Sequence, residues 1–175
     1  QNTSVSISKS LTLNLNGHKI YNTVDIWHDS TGDGDPNIVS LISIDGGASV
    51  TITGNGTVDA KENDCYTINV VNGELTIENG TFWGNISVVQ VQKGKLTVNG
   101  GKFDLYQKYE GTNKYLLNCI DGEFASGAAA VAIYGGTFVG FDPNVSPEQK
   151  DKNGNVPSFA APGVGIEKNT DGTFT

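Results

Sequence analysis

Glycine register constrains this chain more tightly than any other feature. Five segments share one pattern: Leu11-Thr12-Leu13-Asn14-Leu15-Asn16-Gly17, Val50-Thr51-Ile52 leading to Gly56, Leu75-Thr76-Ile77-Glu78-Asn79-Gly80, Leu96-Thr97-Val98-Asn99-Gly100-Gly101 and Val131-Ala132-Ile133-Tyr134-Gly135-Gly136. An apolar residue follows each aligned glycine by two positions, or three in the first segment: Ile20, Val58, Phe82, Phe103 and Phe138. Between these segments runs a second family: Ile42-Ser43-Ile44-Asp45-Gly46, Ile68-Asn69-Val70-Val71-Asn72-Gly73, Val89-Gln90-Val91-Gln92-Lys93-Gly94 and Leu117-Asn118-Cys119-Ile120-Asp121-Gly122. Glycines 56, 80, 101 and 136 stand 24, 21 and 35 residues apart, and the widest interval holds extra chain at 107–114 and a longer corner at 123–129.

Within each segment the period is two. Leu75/Ile77, Leu96/Val98 and Val131/Ile133 alternate with Thr76, Thr97 and Ala132, so each short strand has one buried face. Glycine or Asn-Gly then closes the strand, where positive φ is cheap and the chain can turn a corner. No segment carries a convincing helical period. A unit of three short strands cannot bury its own apolar face, whereas stacked units can, which predicts a parallel β-solenoid rising about 4.8 Å per unit. An antiparallel sandwich turning at the Asn-Gly pairs is the alternative. Stacking predicts interior columns: Val58, Phe82, Phe103 and Phe138 in one, with Phe82 against Phe103, and Ile52, Ile77, Val98 and Ile133 in another.

Charge narrows the function classes. The net charge is -8 and every one of the 11 basic residues is lysine, so no clustered cationic surface for nucleic acid is expected. The uncharged run from Phe124 to Phe141 contains glycines and no leucine, which argues against a membrane-spanning helix. Cys65 and Cys119 fit no metal motif. They fall two units apart at different offsets, beyond disulfide reach, and read as small buried hydrophobes. The chain has no methionine and begins and ends in mid-pattern, which suggests a piece of a longer protein.

The repeat resembles the right-handed parallel β-helix of pectin-lyase-like proteins. Leu13-Asn14-Leu15-Asn16-Gly17, Tyr115-Leu116-Leu117-Asn118-Cys119-Ile120-Asp121 and Gly135-Gly136-Thr137-Phe138-Val139-Gly140-Phe141-Asp142-Pro143 are similar to repeats in surface proteins of gut bacteria and in fibre or tail proteins of their phages. The likeness extends to the closing Asp171-Gly172-Thr173-Phe174-Thr175. It implies an all-β fold, a right-handed parallel β-helix of about five coils, an extracellular location on a virion or cell surface, and a homotrimer or larger assembly. On this reading residues 1–140 form the β-helix domain. Residues 141–175, with four of the five prolines, form a loop and capping tail or linker that covers an open sheet edge.

Outward positions supply the candidate sites. The residue three after each aligned glycine is Asp59, Trp83, Asp104 and Val139 in successive units. A tryptophan between two carboxylates suits a sugar ring and its hydroxyls; the competing reading is a solvated row near a corner. As a catalytic pair, Asp59 and Asp104 would lie about 9.6 Å apart, at the upper limit for an inverting glycosidase. Asp45 and Asp121, placed before corner glycines three units apart, read as turn formers. Pectate-lyase relatives typically use an arginine base, and this sequence has none. Neither His18 nor His28 has a nucleophile placed by a known motif. Asp29, Asp33 and Asp35 lie in an acidic, glycine-rich segment resembling the first half of a calcium loop, but Ser40 stands where an EF-hand has its bidentate glutamate. Calcium is the one cofactor candidate; the alternative is a solvated loop. The row Thr51, Thr76, Thr97 could order water, yet a threonine row also simply suits a sheet. The Asn-x-Ser/Thr triplets at Asn55, Asn79, Asn85 and Asn144 read as structure, not as glycosylation sites.

These readings predict a non-enzymatic structural and interaction module, of fibre, decoration or adhesin type, whose partners are surface glycans or proteins. The alternatives are a carbohydrate-active β-helix enzyme and a plain glycan-binding module.

Overall fold

Short apolar-alternating strands separated by tight corners produce one three-strand course, repeated along the chain. The structure, a computed structural model, describes residues 3–26, 40–61, 66–108, 110–145 and 149–175. The first course is β1 (Val5–Ile7), β2 (Leu11–Asn14) and β3 (Lys19–Tyr21). It is followed by β4 (Ser40–Ile44), β5 (Ala48–Thr53) and β6 (Thr57–Asp59), then β7 (Tyr66–Val70), β8 (Gly73–Ile77) and β9 (Thr81–Gly84). Next come β10 (Val89–Val91), β11 (Gly94–Val98) and β12 (Lys102–Leu105). The last course has β13 (Leu117–Cys119), a helix α1 (Asp121–Ser126), β14 (Ala129–Ile133) and β15 (Thr137–Val139), and β16 (Thr173–Phe174) lies near the end of the chain.

Each of the first fifteen strands pairs in parallel with its counterpart one course away. Sheet A is ordered β1-β4-β7-β10-β13, sheet B β14-β11-β8-β5-β2, and sheet C β16-β15-β12-β9-β6-β3. Every pairing is parallel except β16 on β15. The molecule is therefore all-β, built from stacked parallel sheets as a solenoid requires. An antiparallel sandwich is excluded.

Register delivers the apolar columns. Ile20, Val58, Phe82, Phe103 and Phe138 face one another in succession across sheet C. Phe103 stacks on Phe82 with centroids 5.2 Å apart and on Phe138 at 5.1 Å, the rings tilted by 10° and 7°. Leu13, Ile52, Ile77, Val98 and Ile133 align likewise across sheet B. Ile42, Ile68, Val89 and Leu117 align across sheet A, with Val5 as their continuation. Close stacking also explains one glycine. Gly94 lies at φ +111° directly on Gly73, where an added Cβ would overlap the Gly73 carbonyl oxygen.

Two local expectations are corrected, and one strand is added. The segment 121–126 is helical, a single short turn whose left-handed C-cap is Gly127. The stretch β1, Val5–Ile7, is a strand of sheet A although no glycine closes it. Finally, Gly73 and Gly94 align with Ala48 and Ala129, not with Gly46 and Gly122. The corner 45–47 is one residue longer than 71–72 and 92–93, and α1 fills the corresponding corner after β13. Asp45 still forms a turn, accepting a 2.6 Å bond from the Gly46 amide, while Asp121 opens the helix.

Corner lengths differ systematically. The connections from sheet B to sheet C span 15–18, 54–56, 78–80, 99–101 and 134–136. Those from sheet C back to sheet A span 22–39, 60–65, 85–88 and 106–116, and those from sheet A to sheet B run from two residues at 71–72 to nine at 120–128, so the corners from sheet B to sheet C are the uniform ones.

Beyond β15 the chain returns across the end of the stack. Gln149 donates to Asn118 Oδ1 (2.7 Å) and to the Cys119 carbonyl (3.2 Å) beside β13. Ala161 donates to the Ile133 carbonyl and Ile133 to that of Phe159, both at 2.8 Å, beside β14. The strand β16 pairs with β15, setting Phe174 opposite Phe138 and Thr173 opposite Val139. Phe141 and Phe159 are buried there in the same core as the columns, with centroids 6.3 Å apart.

Candidate functional site

The outer positions of sheet C bring the proposed row together. Because β3, β6, β9 and β12 keep register, Tyr21, Asp59, Trp83 and Asp104 are direct neighbours along the stack. Asp59, Trp83 and Asp104 are thus assembled as expected, and Tyr21 extends the row by one course.

The environment of the row differs from an open groove. Asp59 is only 8% exposed. Lys19 Nζ lies 2.5 Å from its Oδ2, and the Tyr106 hydroxyl donates to its Oδ1 at 2.9 Å. Both carboxylate oxygens are therefore engaged. Tyr106 also stacks on Trp83, with centroids 5.0 Å apart and planes inclined by 28°, so the half-buried indole keeps only part of its surface for solvent. Asp104, likewise half-buried, accepts the Leu105 amide at 2.8 Å. Thr67 Oγ1 donates to the Trp83 carbonyl at 2.5 Å, tying β9 to sheet A. The expected exposure of the tryptophan is corrected accordingly: Trp83 is half-buried and Asp59 buried. Chain from past β12 folds back over the row and lays a phenol across it.

What remains is an aromatic surface. Tyr21 is 46% exposed and Tyr106 41%, with Lys19 Nζ 5.2 Å from the Tyr21 ring centroid. Sequence reasoning missed Lys19, Tyr21 and Tyr106. Tyr21 was within reach, since it follows Ile20 as Asp59 follows Val58; Tyr106 carries no repeat signal because it lies beyond the last registered residue of β12.

Chemistry is poorly served by this geometry. Both Asp59 oxygens already have partners, and Asp104 lies two strand spacings away, about 9.6 Å. Among the described residues no group of three or more His, Cys, Asp or Glu side chains is placed to hold a metal. Asp29, Asp33 and Asp35 lie outside the described residues, as do His28 and Cys65. Cys119 is buried, and desolvation, with a smaller contribution from the nearby Asp121 charge, pushes its thiol up to about 12, far from a nucleophilic thiolate. It is an inert core residue, as expected.

Two other surfaces carry regular polar groups. Thr12, Thr51, Thr76 and Thr97 align on the outside of sheet B, followed by Ala132, so the threonine row is one residue wide and stops. At the corners between sheets B and C, Asn79 Nδ2 donates to Asn55 Oδ1 at 3.0 Å and its own Oδ1 accepts the Gly80 amide at 2.8 Å. These two asparagines do structural work at the corner. No described helix is long and apolar enough to cross a membrane.

Comparison with protein families, with curated proteins and with solved structures finds no match.

Proposed function

We propose that the chain is a non-enzymatic interaction module, a right-handed parallel β-helix of about five coils that serves on a virion or cell surface as a rigid spacer. Its sheet C presents an aromatic face to glycans. The observation that carries this reading is the fate of Asp59. The Asp59 carboxylate is ion-paired with Lys19 and hydrogen-bonded by Tyr106, while Tyr21, Trp83 and Tyr106 retain exposed ring surface beside it. Aromatic faces suit the apolar faces of sugar rings, and Asp104 offers a polar partner. A net charge of -8 disfavours polyanionic ligands, so a neutral, hydroxyl-rich glycan is the favoured class. A single such face gives weak binding, on the order of millimolar, or about -4 kcal/mol, and becomes useful through many displayed copies.

A glycan array with the protein displayed multivalently tests the reading. Retention of neutral glycans should be lost in Tyr21→Ala and Trp83→Ala, with the strand circular dichroism signal preserved. Unaltered retention in both variants, or turnover of a polysaccharide by the wild-type protein, would overturn it.

A further inference from the structure

The corners between sheets B and C repeat one backbone shape, and in two of them one polar atom is left out. Gly80, Gly101 and Gly136 all hold positive φ, at 121°, 102° and 125°. They stack in register: the Lys102 amide donates to the Gly80 carbonyl at 2.9 Å and the Thr137 amide to the Gly101 carbonyl at 2.8 Å. Between β8 and β9 the Gly80 amide is satisfied by the carboxamide oxygen of Asn79. The next two corners carry glycine in place of that asparagine, at Gly100 and Gly135. An added Cβ there would lie 2.5 Å from the Glu78 carbonyl oxygen and 2.7 Å from that of Asn99, so the stack itself keeps out a side-chain acceptor. Among the described residues no acceptor bonds the Gly101 or the Gly136 amide.

Both glycines line a groove of about 640 Å³ that runs along this corner. Asparagines, threonines, glycines and Lys102 form its wall, with no carboxylate and no aliphatic or aromatic side chain. By the shared backbone shape, two donors about one strand spacing apart, or about 4.8 Å, face the space that Asn79 fills with its own oxygen one course earlier. The groove adjoins the aromatic row. Thr81 and Lys102 flank the buried Phe82 and Phe103 on the outer face of sheet C, two residues before Trp83 and Asp104, or about 6.6 Å along the strand.

The missing atom identifies the ligand group. It is a carboxamide oxygen, which carries two lone pairs and can accept from both amides at once. A carboxylate is the poorer occupant, because the net charge is -8 and Lys102, the one ammonium on the groove, already acts on the Asp171 carboxylate. We infer that the corner groove receives the acetamido group of an N-acetylated amino-sugar glycan. Its carbonyl oxygen takes the bonds of the Gly101 and Gly136 amides, as Asn79 Oδ1 takes that of Gly80, while the sugar ring lies towards the surface of Trp83 and Tyr106. The inference rests on the reading of sheet C as a glycan-binding face, and it narrows the ligand from neutral glycans at large to those bearing acetamido groups.

Two immobilised hexamers test it, one of β-linked N-acetylglucosamine and one of β-linked glucose, which differ only in an acetamido group against a hydroxyl. Presented at equal density to the multivalently displayed full chain, the N-acetylated hexamer should be retained about tenfold more tightly, the worth of about one net hydrogen bond. In isotope-labelled protein titrated with the soluble N-acetylglucosamine hexamer, the Gly101 and Gly136 amide resonances should move. That of Gly80, bonded to its own asparagine, should move least. Equal retention of the two hexamers, or of neither, overturns the inference, as does a preference that leaves both glycine resonances unmoved. The aromatic-face reading then still stands or falls on Tyr21→Ala and Trp83→Ala. Retention of no neutral glycan of any kind overturns that reading, and this inference with it.

Discussion

Phe103→Ala is the most discriminating perturbation of the interior. The ring is fully buried and sandwiched between Phe82 and Phe138 at 5.2 and 5.1 Å, nearly parallel to both. Burying a phenylalanine removes about 150 to 250 Å² from water, worth about 4 to 6 kcal/mol at about 25 cal/mol per Å². Alanine retains a part of that, and truncations of this kind cost about 3 to 5 kcal/mol. Two considerations place this site in the upper half of the range. Two stacked contacts vanish, each worth about 0.5 to 1.5 kcal/mol beyond area. The flanking rings also belong to strands fixed by their own ladders, so the cavity cannot collapse around them. We expect a loss of about 4 to 5 kcal/mol in urea unfolding, or a midpoint lowered by about 8 to 20 °C at 2 to 4 °C per kcal/mol. Thr97→Ala, half-exposed on sheet B, should change stability by no more than about 0.5 kcal/mol. A double-mutant cycle of Phe82→Leu with Phe103→Leu should give a coupling of about 0.5 to 1.5 kcal/mol. A loss below about 1 kcal/mol for Phe103→Ala, where 3 to 5 is usual, or no coupling, would refute a continuous stacked column.

The remaining predictions concern titration and reactivity. The Asp171 carboxyl is held below its ordinary value by bonds from the Thr173 hydroxyl and amide at 2.7 and 3.0 Å. Its stabilisation is thus complete above the ordinary aspartate value of about 3.9 and is lost as pH falls through the lower folded value. Hydrogen exchange at Thr173–Thr175 should accelerate across that acid window in the wild type and not in Asp171→Asn, after correction for intrinsic rates; equal behaviour would refute the assignment. With Cys65 replaced by serine, Cys119 should resist a maleimide in the native state near neutral pH and react on unfolding, since its thiol is pushed up to about 12. Rapid native labelling would show that sheet A opens locally.

Much of the core can be read from the sequence because its signals are local. A two-residue alternation marks which side chains turn inward, and a corner glycine aligns one strand with the next, so Phe82, Phe103 and Phe138 can be stacked on paper. Where the glycine signal fails, so does the reading. Val5-Ser6-Ile7 ends in Ser8-Lys9 and gives no corner to align. The helix α1 is six residues long with a glycine at its second position, too short to display a period. The surroundings of Asp59 were beyond sequence reasoning for another reason. Lys19 comes from the preceding course and Tyr106 from chain past the end of β12, so both contacts are long-range, and the second lies outside the repeat.

The unequal corners have an evolutionary corollary. Turning from sheet B to sheet C takes three or four residues every time, and at glycines such as Gly80, Gly101 and Gly136 the backbone holds positive φ that other residues adopt only with strain. Along the other seam, between sheets C and A, excursions of four residues and of eleven leave the same column of strands undisturbed. Lengthening a closed loop from four residues to eleven costs only about 0.9 kcal/mol of chain entropy. One ridge of the molecule is thereby held to a near-constant length by backbone geometry, while the seam between sheets C and A accepts corners of different length. New specificities, whether selected in nature or grafted at a bench, would accumulate along that permissive seam, and Tyr106, which reaches back from it onto Trp83, shows how such a loop can reshape a neighbouring face without touching the core.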